Sequence, residues 1–192
     1  GMMAATSLIG LSTGPLSAQG LPVFSLALAE AVADEPGLSA FYRDTGYAPV
    51  WTGPEDSVRR SALVTALSQA GNHGLPTVQY DLEGLIAGYH DVRSERDRAR
   101  LEARTSKLFV RYARDIGSGV LEPERIISQI VRTLPRPDVA TLMHGFVSAE
   151  PAVFMRSLMP ACPEYTRLLR AIFEIQSQIS RGGWGPEVTS SG

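Results

Sequence analysis

The sequence predicts an all-α fold, on three observations. Apolar residues recur three and four positions apart along most of the chain, the spacing that lines one face of a helix. Strictly alternating strand patterns are nearly absent. Prolines and glycines separate the apolar segments, and no repeat of fixed period is present. A single irregular helical domain around one long central helix is therefore expected. With 192 residues and 20.7 kDa there is enough chain for one sizeable core. Hydrophobic residues at 44% and charged residues at 20% are ordinary for a folded domain and argue against wholesale disorder.

Residues 1–20 are small-residue-rich and mildly apolar, with Leu16-Ser17-Ala18 approximating the end of a secretory signal peptide, though without a basic leader. They read as a signal-peptide remnant or a disordered arm, with Gly1 a scar of tag cleavage. Pro22 suits the first turn of a helix carrying Phe24, Leu28, Ala31 and Val32. Leu38–Asp44 is a second short helix. Gly46-Tyr47-Ala48-Pro49-Val50-Trp51 should then run extended, because a residue before proline avoids the helical region. Asp56 or Ser57 caps a helix bearing Leu63, Ala66, Leu67 and Ala70, closed by Gly71-Asn72-His73-Gly74. Asp81 opens another, with Leu82, Leu85, Ile86 and Tyr89 inward.

The central helix follows. Ser94 with Asp97 three residues on approximates a capping box, and Leu101, Leu108, Phe109, Tyr112 and Ile116 share a face. Gly117 and Gly119 should stop it. Its arginines, Arg104 and Arg111 among them, are interleaved with acids. Pairs such as Arg98–Glu102 and Arg111–Asp115 at four-residue spacing predict a solvated, salt-bridged face, with a modest anionic-polymer contact as the alternative. Leu121-Glu122-Pro123 opens a short helix with Ile126, Ile127 and Ile130. Pro137 and Pro151 start helices carrying Leu142, Met143 and Phe146, then Val153, Phe154 and Leu158. The closing helix from Pro163 presents Tyr165, Leu168, Leu169, Ile172, Phe173 and Ile179, and Gly182-Gly183 ends it. Its apolar stripe is expected to pack on the central helix.

Chemistry is mostly excluded by what is missing. There is no phosphate-binding glycine loop, no His-Glu-x-x-His, no Cys-x-x-Cys and no Gly-x-Ser-x-Gly. His73, His90 and His144 lack metal-ligand spacing and read as cap, loop or surface residues, so no metal or cofactor is expected. Cys162 cannot form an internal disulfide, has no histidine near it in sequence, and reads as a small half-buried residue. A net charge of −2 argues against nucleic acid as a partner, and no apolar run reaches the roughly 20 residues that membrane insertion needs.

Four stretches resemble a known family. Phe41-Tyr42-Arg43-Asp44-Thr45-Gly46-Tyr47-Ala48-Pro49-Val50-Trp51 is similar to the opening of the scaffold domain of murein L,D-transpeptidases. His73-Gly74-Leu75 with Tyr80 matches its next helix end. Tyr112-Ala113-Arg114-Asp115-Ile116-Gly117-Ser118-Gly119 with Pro123 resembles its central helix and turn. Leu158-Met159-Pro160, Pro163-Glu164-Tyr165, Leu168-Leu169 and Gly182-Gly183-Trp184 resemble its closing helix. The resemblance implies a scaffold-like domain over 21–186, a tail at 187–192 and a periplasmic location.

In that family the activity belongs to a separate domain bearing a Ser-x-Gly-Cys nucleophile, a motif absent from this sequence. The chain as given is therefore expected to be non-catalytic; a longer parent protein, if the chain has one, is expected to be an L,D-transpeptidase. It would support a catalytic domain or contact peptidoglycan during cross-linking or cell-wall remodelling, with self-association a further option. Trp51, Tyr47, Arg104, Arg111 and Trp184 are the contact candidates. Independently of the family, Phe41, Tyr42, Tyr47 and Trp51 either staple the N-terminal helices to the central one or form an exposed aromatic platform. Two other classes stay open: a stand-alone helical protein-binding adaptor, and a glycan-cleaving enzyme using a carboxylate such as Glu83, Glu122 or Glu124.

Overall fold

The computed structural model describes residues 22–118 and 138–183, and among them every regular element is helical. The all-α expectation holds. The α-helices are α1 Val23–Ala31, α2 Pro36–Asp44, α3 Ser57–Ser68, α4 Leu82–His90 and α5 Glu95–Ser118. Farther along the chain come α6 Val139–Ser148, α7 Pro151–Ser157 and α8 Pro163–Ser180. The predicted Leu121–Ile130 helix and Pro137 lie outside the described residues.

Local chemistry sets most of the ends. Prolines occupy the first turns of α2, α7 and α8, where their missing N–H costs nothing. Ser94 caps α5 as expected, its Oγ accepting from the Asp97 amide at 3.1 Å while donating to the Asp97 carboxylate at 2.7 Å. Asp81, Asp138 and Glu150 cap α4, α6 and α7 by accepting amides of the first turn. Gly74, at φ +72°, closes the turn after α3 in the left-handed region that glycine adopts freely.

Helix α1 lies along α5, α2 along α6, and α3 along α7. Between them sits an aromatic cluster. Trp51 stacks on Phe146 with centroids 5.0 Å apart, Phe109 lies 4.7 Å from Phe146, and Phe154 packs edge-on against Phe146 at 5.6 Å.

A buried carboxyl group ties the N-terminal loop to the central helix. Glu102 on α5 has no exposed surface. It accepts the amides of Val50 (2.7 Å), Trp51 (3.2 Å) and Thr52 (2.9 Å), the Thr52 hydroxyl (2.7 Å) and the Tyr42 hydroxyl (2.8 Å). One helical turn on, Ser106 accepts Trp51 Nε1–H at 2.8 Å and lies 2.6 Å from Tyr42 Oη. Because Tyr42 donates its proton to Glu102, Ser106 must donate to Tyr42. Arg60 satisfies the opposite side of the loop, donating to the carbonyls of Trp51 (2.7 Å) and Gly53 (3.1 Å). Both polar edges of a buried irregular segment are thus paired, as burial requires.

Several expectations are corrected. Gly117 does not end α5, which runs through it to Ser118, and Gly119 lies outside the described residues. Glu102 does not pair with Arg98 on the surface. Arg98 instead bonds Glu95 at 2.6 Å and covers the Phe24 ring at 4.1 Å, because Glu102 is drawn inward by the amides of the loop. Arg111 donates to the Gln79 carbonyl, while Asp115 accepts the Tyr80 hydroxyl at 2.8 Å. Asp56 stands at the N-cap position of α3, but its side chain bonds no amide of that helix; it accepts the Gly53 amide and pairs with Arg59. Ile86 and Val153 are exposed, and Met155 takes the buried place on α7. The segment after Gly46 bends, with Gly46 and Tyr47 both in the left-handed region (φ 62° and 60°). Finally, α8 is not packed along α5, whose flank is occupied by α1; its main contact is the Ala70–His73 turn.

Candidate functional site

Of the five contact candidates, Trp51 is removed by its geometry. It is fully buried between Phe109 and Phe146 with its indole N–H spent on Ser106, so it presents no surface to a partner. The aromatic stretch is a staple and not a platform. Tyr47 is half-buried at the rim of that core, held at a left-handed bend by its amide bond to the Tyr42 carbonyl at 2.7 Å. Arg104 is exposed but committed to the domain itself, with 2.6 Å to Asp81 and 3.1 Å to the Gly84 carbonyl. Arg111 is exposed at the Gln79 carbonyl. Trp184 lies outside the described residues. Among the described residues, the structure does not bring Tyr47, Trp51, Arg104 and Arg111 together.

What it exposes instead is α8. None of its residues is buried, although its sequence is strongly two-faced. Tyr165, Leu168, Ile172, Ile175 and Ile179 recur at three- and four-residue spacings, the period of a helix-packing seam. Leu168 is 60% exposed, Ile175 46% and Ile179 60%, and Phe173, on a different face of the helix, is 72% exposed. Ile172 is half-covered by Gly74; a Cβ at that glycine would come within 3.2 Å of its Cδ1. A stripe of this kind left in water signals a surface meant to be covered.

One polar contact anchors the start of α8. His73 Nδ1 and the Tyr165 hydroxyl lie 2.8 Å apart, with the two rings nearly parallel at 8°. Burial lowers the His73 pKa, and burial raises those of Tyr165 and Tyr112. A neutral histidine accepting from, or donating to, a neutral tyrosine is the stable state of this pair near pH 7.

The remaining polar candidates are dispersed. His90 and His144 are exposed, His144 edge-on to Phe41 at 4.9 Å. Cys162 is exposed at the N-terminus of α8, not half-buried as expected. Glu83 is exposed on α4, while Glu122 and Glu124 lie outside the described residues. Among the described residues no cluster of three or more His, Cys, Asp or Glu side chains could hold a metal, and no helix is long and apolar enough to cross a membrane.

A family model described as "Scaffold domain" matches residues 36–172, well over half of the chain. The match starts at the first residue of α2 and ends within α8, so it spans the Glu102 knot, the aromatic cluster and the His73–Tyr165 anchor. The chain belongs to the scaffold-domain family. No curated protein and no solved structure matches it. Within this scaffold domain, sequence reasoning missed Glu102 and the exposure of α8. The first had a signal: Glu102, Ser106, Phe109, Ala113 and Ile116 form one stripe at four- and three-residue spacings, so a charge stood on the core face.

Proposed function

We propose that this scaffold domain is a non-catalytic support in cell-wall remodelling, holding an L,D-transpeptidase catalytic domain in the periplasm through the exposed apolar side chains of α8. The observation that carries the reading is the exposure of Leu168, Ile175 and Ile179 along one stripe, and of Phe173 on another face, of a helix with no buried residue. Its support from the chain is the sequence resemblance together with the scaffold-domain match. The Glu102 knot suits a support role, since it fixes the loop at residues 50–52 rigidly to the central helix without presenting a reactive group. Arg104 and Arg111 are engaged within the domain, which favours a protein partner over murein itself.

Sedimentation velocity of the chain mixed with a purified L,D-transpeptidase catalytic domain tests this. A complex abolished by the double substitution L168E/F173E is expected. No complex, or one indifferent to those substitutions, removes the reading. Pelleting with purified sacculi at low and high salt reports murein contact separately. Intact-mass analysis after incubation with a carbapenem should show no adduct on Cys162, because no base adjoins that thiol in sequence.

A further inference from the structure

A cavity of about 430 Å³ opens between α3 and α7, within the range of small-molecule sites, about 300–1,000 Å³. Its walls are mainly apolar: Ala62 and Ala66 from α3, Ala152 and Met155 from α7, and Met159 just beyond. The buried Tyr112 of α5 and His73 also line it. Arg156 supplies the one formal charge among the lining residues at neutral pH, and no carboxylate is among them. Among the described residues no acid pairs with Arg156, which leaves its charge open to a ligand. An exposed guanidinium at the edge of a methionine- and alanine-lined space is complementary to a ligand with an apolar body and one negative end.

We propose that this cavity binds a small amphipathic carboxylate, its chain lying between α3 and α7 and its head group meeting Arg156. The neutral polar groups on the α3 side, Ser61, Thr65 and Gln69, provide no second charge, which selects a monoanion over a dianion or a zwitterion. Met155 and Met159 suit a flexible aliphatic chain, since unbranched thioethers adapt to irregular apolar shapes. No residue of α8 lines the cavity, so its occupancy does not rest on the support role.

Decanoate is the probe, titrated into the full chain carrying ¹³C-methyl methionine. Saturable shifts of the Met155 and Met159 methyls are expected, with the methyl of Met143, fully buried away from the cavity lining, unmoved. Decanol, with the same tail and no charge, should bind roughly tenfold more weakly, the loss of one charge-assisted hydrogen bond. The substitution R156Q, at an exposed position, should bring decanoate down to the decanol level and leave decanol unchanged. Absence of saturable shifts at Met155 and Met159 overturns the site. Equal affinity for the two probes, or an R156Q protein that binds decanoate as the wild type does, overturns the carboxylate.

Discussion

Glu102 receives the amides of Val50, Trp51 and Thr52 with none of its own surface exposed, so its loss strands several donors at once. In E102Q one oxygen becomes an amino group facing those amides. A cost of about 1–3 kcal/mol is expected, and a larger one for E102A, both read from urea unfolding. The pH dependence has a definite sign. Burial raises the Glu102 pKa, against the opposing pull of hydrogen bonds from Val50, Thr52, Tyr42 and Trp51. The folded chain therefore holds this proton to higher pH than the unfolded chain. Its contribution is complete below the unfolded value of about 4.3 and is lost as pH rises through the folded value. The stability gap between wild type and E102Q should be widest near pH 4 and narrow toward neutrality. A gap that widens as pH rises would contradict the assignment.

At the scale of elements, α8 and α2 make opposite predictions. Helix α8 is held mainly at the Ala70–His73 turn, whereas α5 is covered by α1 and the aromatic cluster. Amide protection factors should therefore be lower in α8 than in α5. Because burial depresses the His73 pKa, its contribution is complete above the unfolded value of about 6.5 and is lost as pH falls through the folded value. Protection in α8 should drop between pH 7 and pH 5 in the wild type. The variant H73F removes the titrating group and should flatten that dependence; a wild-type α8 insensitive to pH counts against the anchor. Helix α2 instead depends on close approach: a Cβ at Gly37 would sit 2.5 Å from Val139 Cβ on α6. The substitution G37A should push the two helices apart at a cost of about 1–3 kcal/mol, visible as a lower thermal midpoint.

For the whole molecule, stability and partner binding should separate. Leu168 and Phe173 contribute little to the fold because they are mostly in water, so each change to glutamate should alter stability by no more than about 0.5 kcal/mol. The same changes should abolish association with a catalytic domain. Loss of folding in L168E/F173E would place α8 inside the cooperative core and remove the surface on which the support role rests.

The sequence by itself determined the fold class and most helix positions, because proline at a first turn, an Asp or Ser cap and a left-handed glycine act within a few residues. It also located the core side chains of α1, α3 and α6 through their period. Tertiary structure alone decided which amphipathic stripe is covered. The stripes of α5 and α8 look alike in sequence, yet α1 and the aromatic cluster bury one while the other stays in solvent. It decided the place of Glu102 in the same way. A glutamate among arginines reads as a surface ion pair until a loop some 50 residues earlier in the chain aims its amides at it. Periodicity reports the face a residue occupies on its own helix, and only packing supplies what that face meets.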